Sequence, residues 1–209
     1  MILHAWRVVN NLLPTNHWLF CHNLRINVDC PWGCGQEETV NHMLGDCNFW
    51  TSPPIGWLKI NFDGSVWENF KAGLGCVVHT HLGEPLAARG VKSRSCSVDM
   101  TKFRSATEGL ALAKIFFNKA AGIILEGDSS TACDMLQRIL SGAFSGNAEA
   151  YFAKLLAEAP RVVISLIDRD ANTVANSIAK LACDTYFEWE RGMPQSHEFF
   201  HLVHHDIAL

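Results

Sequence analysis

Residues 57–65 read WLKINFDGS, a run in which apolar and polar residues nearly alternate until Asp63 and a Gly-Ser pair end it. This alternation is typical of a half-buried strand. Two further carboxylates have similar settings: Glu108 lies in ATEGL, within a predicted helix, and Asp128 lies in LEGDS, after a predicted strand. A small residue follows each of the three. Carboxylates that gather in this way are what a divalent metal ion would need.

Composition indicates an ordinary soluble chain. It has 209 residues, 48% hydrophobic and 18% charged, enough for one good core and a smaller appendage. The net charge of −4 argues against a strong electrostatic hold on nucleic acid, although a local basic face is compatible with it. No apolar run approaches the roughly 18 residues of a membrane span, and the opening residues lack a signal-peptide layout. We expect an intracellular protein, nuclear or cytoplasmic and not secreted, that avoids membranes and keeps its eight cysteines reduced.

The order of predicted elements favours a mixed α/β fold. Hairpins join the first three strands, and right-handed crossovers make the later strands parallel. Functional crevices form at the carboxyl ends of adjacent parallel strands. Asp63 and Asp128 therefore meet if their strands are neighbours, and Glu108 on the intervening helix can point to the same place. The predicted strands are residues 57–62, 73–79, 84–91, 122–125 and 161–167, and the predicted helices are residues 102–119, a segment capped by Ser129 or Ser130, and about 171–183.

The chain divides at residues 51–56, TSPPIG, because two prolines and a glycine resist helix and sheet alike. We interpret residues 1–50 as a Trp-, His- and Cys-rich N-terminal region and residues 57–184 as the main domain. Residues 185–209 form a histidine-containing tail, for which a frayed, partly docked terminus is the simplest expectation.

Five motifs in the main domain occur in an informative order: WLKINFDGS, GLGCVV, TEGLAL, EGDS and DANTVANSIAKLA. Together they resemble a ribonuclease H domain, most closely the reverse-transcriptase-like variety of plant genomes, found alone or at the end of non-LTR retroelement polyproteins. The resemblance runs from about residue 54 to 182. It implies a ribonuclease H-like mixed five-stranded sheet flanked by helices.

The resemblance also implies a function. Ribonucleases H are endonucleases that hydrolyse the RNA strand of an RNA–DNA hybrid, using two Mg²⁺ (or Mn²⁺) ions. By resemblance, Asp63 bridges both ions, and Glu108 and Asp128 hold the ion nearer the leaving group. Asn176 takes the fourth metal-ligand position. The implied partner is nucleic acid, an RNA–DNA hybrid or structured RNA; the oligomeric state is not predicted. Taken singly, an Asp-Gly pair is typical of a turn and an Asp-Ser pair of a helix cap.

Two departures from the family pattern bear on activity. Asn176 stands where an aspartate is usual, and an amide brings no charge to a metal ion. Leu166 stands where a histidine is often found, although Asp168 and Asp170 are near in sequence. Two readings follow: a hybrid ribonuclease weakened by Asn176, or a catalytically impaired binding module or retroelement remnant of the same fold.

The N-terminal region contains a separate constellation of Cys30, Cys34, His42 and Cys47. The Cys-x3-Cys-x7-His-x4-Cys spacing suits tetrahedral Zn²⁺. It resembles the zinc-binding region that follows the polymerase domain in plant retroelement reverse transcriptases. A set of reduced cysteines in a degenerate fragment is the alternative interpretation. The sequence thus predicts a small N-terminal zinc-binding segment.

Overall fold

Strand β1 (Trp57–Val66) lies inside a six-stranded sheet of order β5-β4-β1-β2-β3-β6 in this computed structural model. It runs antiparallel to β2 and parallel to β4. The structure describes residues 16–24, 28–29, 37, 39, 52–67, 71–94 and 97–191. The remaining elements are α1 (Asn16–Cys21), β2 (Lys71–His79), β3 (Pro85–Arg94), α2 (Val98–Ala113), a 3₁₀ segment (Lys114–Lys119), β4 (Gly122–Gly127), α3 (Ser130–Leu140), α4 (Asn147–Glu158), β5 (Arg161–Leu166), a 3₁₀ segment (Arg169–Asn172), α5 (Thr173–Ala182) and β6 (Phe187–Glu190).

The described residues divide into two compact units, one before Ser52 and one from Ser52 onward. In the first unit, α1 ends in a turn whose Asn23 has a positive φ of 56°. An isolated antiparallel bridge joins Asp29 to Glu37. The second unit holds the whole sheet, and its architecture confirms the predicted mixed α/β fold.

Strand β1 is buried on both faces, so the prediction of a half-buried strand is wrong. Ile60 and Phe62 are fully buried in the main core, against α2 and β4. On the opposite face, Lys59 and Asn61 are 2% and 4% exposed. The Lys59 Nζ lies 3.0 Å from Glu126 Oε1, and Asn61 Nδ2 donates to Glu126 Oε2 at 3.3 Å. Lys59 and Asn61 can be buried in this strand because both side chains contact Glu126 of the neighbouring β4.

A second, smaller core lies between α5 and the β2–β3 hairpin. Strand β2 approaches α5 very closely through glycines: a Cβ built at Gly75 would lie 2.4 Å from the Ala175 carbonyl oxygen. The absence of side chains at Gly73 and Gly75 therefore sets the distance between α5 and the sheet. The buried residues of this core are Val77, Ala88, Val174, Ile178 and Trp189.

Several elements differ from the sequence prediction. Strand β1 runs on to Val66, so Asp63 lies within it and does not end it. The predicted helix over 102–119 is α-helical only to Ala113 and continues as a 3₁₀ segment. The sheet has six strands and not five, because residues 187–190 of the predicted tail pair with β3 as β6. Helix α2 begins at Val98, four residues before the predicted start, because Ser97 caps it by accepting a hydrogen bond from Met100 N. Helix α4, residues 147–158, had no counterpart in the prediction. No helix within the described ranges is long and apolar enough to cross a membrane.

Replacing Gly75 with alanine should destabilise the domain by about 2 kcal/mol, because the new methyl group would push α5 away from β2. Urea unfolding followed by circular dichroism measures this change. Gly146→Ala is the matched control, since nothing lies within 4 Å of a Cβ built at Gly146. Equal stabilities of the two variants would contradict the close helix–strand contact.

Candidate active site

Asp63 and Asp128 lie side by side, as predicted, because their strands are parallel neighbours. The β1–β4 register pairs Asn61 with Glu126, so two residues further along each strand Asp63 stands level with Asp128. Both side chains are almost fully enclosed, with 7% and 6% of their surfaces exposed. Asp63, which lies within β1, and Asp128, which directly follows β4, thus form a buried pair of acids.

Lys102 of α2 joins these two acids. Its Nζ lies 2.9 Å from Asp63 Oδ1 and 2.5 Å from Asp128 Oδ1. Burial lowers the pKa of Lys102, but its hydrogen bonds to Asp128 and Asp63 outweigh that effect and raise the pKa above its ordinary value. Burial raises the pKa of Asp63, and the Lys102 ammonium offsets only part of this rise. Lys102 is therefore charged at neutral pH and neutralises one of the two acids.

Three local features fix the backbone that carries Lys102. Gly64 lets α2 lie directly on β1, because a Cβ there would stand 2.8 Å from Lys102 N. Ser129 caps α3 by accepting from Ala132 N at 3.2 Å, as predicted for that residue or its neighbour. The same Ser129 hydroxyl donates to Asp99 Oδ1 at 3.1 Å, which ties the start of α3 to the first turn of α2. The turn after Asp128 and the turn before Lys102 are thereby held together.

Glu108 contacts a different partner. Its Oε2 lies 3.3 Å from Arg89 Nη1 on β3. Arg89 also donates to both oxygens of Glu188 on β6, through Nε at 3.1 Å and Nη2 at 2.9 Å. The hydrogen bond from Arg89, followed by one from Tyr186, lowers the pKa of Glu188. Glu108 thus belongs to an ion-pair network that fastens β6 to the sheet.

Helix geometry separates Glu108 from Lys102. The two are six residues apart on α2, which corresponds to a rotation of about 240° and a rise of about 9 Å. The side chains of Glu108 and Lys102 therefore leave the helix on different faces. The sequence predicts Glu108 as the helix residue of the site, whereas in the structure Lys102 contacts the two acids. A helical wheel started at the Ser97 cap separates the two residues.

Asn176 lies on α5, the helix that packs on β2. It follows Ala175, which contacts Gly75, and Gly75 is the β2 partner of Asp63. Leu166 ends β5 beside Gly127 and is 57% exposed. Asp168 accepts a hydrogen bond from the backbone N–H of Asp170 at 3.1 Å, so it serves as the cap of a 3₁₀ turn.

These residues do not fit a pair of Mg²⁺ ions in the observed arrangement. The inward oxygens of Asp63 and Asp128 both contact one ammonium group, Glu108 contacts a guanidinium group, and Asn176 carries no charge. Within the part of the chain that the structure describes, no three His, Cys, Asp or Glu side chains converge closely enough to hold a metal ion. The predicted zinc ligands Cys30, Cys34, His42 and Cys47 lie outside the described residues.

Comparison with solved structures identifies the architecture. Ribonuclease H1 from the archaeon Halobacterium salinarum superposes with a TM-score of 0.52 and 24% identity, over 62% of this chain and 98% of that chain. The chain has the ribonuclease H fold. The N-terminal ribonuclease H domain of a Mycobacterium tuberculosis protein gives 0.52 and 22%, over 61% and 94%. LC11-RNase H1, solved with an RNA/DNA hybrid, gives 0.50 and 20%, over 61% and 96%. No protein-family model and no curated protein matches the sequence.

Replacing Glu108 with glutamine should lower the unfolding free energy by less than about 1 kcal/mol, because a partly exposed ion pair contributes little. It should leave the contacts of Lys102 with Asp63 and Asp128 intact. Chemical denaturation measures the first effect, and NMR titration of the Asp63 carboxyl measures the second. Glu158→Gln, which removes the surface pair with Lys114, is the control. A shift of the Asp63 titration by Glu108→Gln alone would place Glu108 back in the site.

Proposed function

We propose that this domain binds RNA–DNA hybrids and that its hydrolysis of the RNA strand is strongly impaired. The observation that carries the proposal is the pairing of both buried acids, Asp63 and Asp128, with the Lys102 ammonium. Of the two readings of the sequence, the binding module therefore has better support than the weakened ribonuclease.

Hydrolysis should be impaired for an electrostatic reason. In a two-metal site the ions activate the attacking water and stabilise the leaving oxygen, so the protein must offer carboxylates that are free to bind them. Here one ammonium contacts both buried acids, and a third acid lies with Arg89. Asn176 adds an uncharged amide where the resemblance implies a carboxylate. The site therefore offers less negative charge to a metal ion than it would if Asn176 were the only change.

Two features favour binding: the fold, and the reduced negative charge at Asp63 and Asp128. A structural neighbour with this fold was solved with an RNA/DNA hybrid. Lys102 reduces the negative charge that two acids would present to a phosphate backbone. The chain as a whole is mildly acidic, so binding should be modest and should weaken steeply with salt. Contacts with 2′-hydroxyl groups would distinguish the RNA strand from DNA.

Binding and cleavage should be measured side by side with a labelled RNA–DNA hybrid, at low salt, in Mg²⁺ and in Mn²⁺. We expect binding without cleavage, or cleavage at least ~100-fold slower than that of an active ribonuclease H, the cost of losing one key electrostatic group. Asn176→Asp alone should raise the rate little, since Lys102 still contacts both acids.

Duplex DNA, duplex RNA and a structured RNA serve as comparison ligands in the same assay. Efficient cleavage by the wild-type protein in either metal would reject impairment and favour the ribonuclease reading. Preference for structured RNA would change the ligand class. If no nucleic acid binds at low salt, the chain is a remnant with this fold and no nucleic-acid function.

The proposal extends to the N-terminal region, where the resemblance to a reverse-transcriptase zinc-binding region would make the chain part of a plant-type retroelement protein. Its support is the spacing of Cys30, Cys34, His42 and Cys47. Purified protein should contain about one zinc per chain by elemental analysis, and Cys30→Ser with Cys34→Ser should remove it. Cys76→Ser, in the buried core, should not change the zinc content. Metal-free protein would reject the zinc site.

A further inference from the structure

Lys102 occupies the position from which one cation can contact two acids at once. Its Nζ is within 2.9 Å of one Asp63 oxygen and 2.5 Å of one Asp128 oxygen. Only 13% of the Lys102 side chain is exposed. The ammonium is therefore enclosed between the two carboxylates, and is not a surface charge that passes near them.

Two neighbouring buried acids require a positive charge close to them. Like charges that are buried together repel, and without compensation one of them takes up a proton. A divalent cation can compensate both charges, and a protonated lysine, with its three N–H donors, can compensate one of them while contacting both acids. In this chain a lysine takes that place. A metal ion bound to the same two Oδ1 atoms would have to displace Nζ from both of them.

Displacing Lys102 is costly because its backbone is held in place. Gly64 permits direct contact of β1 with the Lys102 backbone, because a Cβ at Gly64 would lie 2.8 Å from Lys102 N. Ser97 fixes the start of α2, and Ser129 links that start to the turn after Asp128. A freely moving side chain would give way to a metal ion more readily than one that starts from an anchored helix turn.

We infer that Lys102 is a built-in cation that substitutes for a divalent metal ion between Asp63 and Asp128. The pair then excludes Mg²⁺ and Mn²⁺, and nucleic acid meets a site whose charge is set by a fixed ammonium group in place of a metal. The second part rests on the proposed function. A carboxylate at residue 102 would have the opposite effect: it would complete a set of three acids and allow a divalent ion to bind.

The direct test is Mn²⁺ binding, followed by electron paramagnetic resonance of free Mn²⁺. Wild-type protein should bind no more Mn²⁺ than Asp63→Asn, which subtracts binding elsewhere on the chain. Lys102→Glu should bind one additional Mn²⁺, at least ~10-fold more tightly than wild type, because a positive charge becomes a negative one beside two acids. Lys114→Glu, a reversal of an exposed lysine paired with Glu158, should behave like wild type.

Thermal unfolding gives a second readout that does not depend on catalysis. Mn²⁺ should leave the melting temperature of wild type where it is in EDTA, and should raise that of Lys102→Glu. If Lys102→Glu does not fold in EDTA, refolding on addition of Mn²⁺ supports the inference, and Lys102→Gln replaces it for the binding measurement. Stoichiometric Mn²⁺ on wild type that Asp63→Asn removes would overturn it, as would a folded Lys102→Glu without added Mn²⁺ binding.

Hybrid binding separates this inference from the proposed function. Wild-type affinity for the labelled hybrid should agree within ~2-fold between EDTA and Mn²⁺, because the ammonium replaces the metal. A requirement for Mn²⁺ would overturn the inference and leave hybrid binding standing. Absence of hybrid binding in every buffer would reject the proposed function, while the Mn²⁺ measurements would still decide whether Lys102 excludes the metal.

Discussion

The parallel pairing of β1 with β4 is the constraint on which the site depends. It brings Asp63 and Asp128 to the same level at the same edge of the sheet, where both are buried. Such a pair is unstable without a nearby cation. The start of α2, the cap of α3 and the bare backbone of Gly64 together deliver Lys102 to that point.

Other buried charges of the sheet also need a partner of opposite charge. On the face of β1 that carries Asp63, Lys59 is buried with Glu126, and Asn61 donates a hydrogen bond to that carboxylate. Each buried charge on this face thus has an opposite charge within ion-pair distance. The face is polar, but each of these charged side chains has a partner of opposite charge inside the fold, and these contacts let β1 be enclosed on both sides.

Glu108, which the sequence predicts as a metal ligand, takes part in an ion pair in the structure. It lies with Arg89, which is also bound through two hydrogen bonds to Glu188 of β6. The arginine thus ties α2, β3 and the added edge strand together. A sheet edge left without a partner invites pairing with other chains, and β6 covers the edge of β3. Glu108 is part of the structural support for that strand.

Hydrophobic period, turn residues and caps are local signals, so the sequence by itself determined which segments form β1 to β5, where Asp63 and Asp128 lie along the chain, and that Ser129 or Ser130 caps α3. It also gave the resemblance that named the fold. Only the tertiary structure decided which residue of α2 reaches the acids and that residues 187–190 form a strand. The reason is geometric: a few residues along a helix turn a side chain to another face, and a short edge strand is defined by its partner.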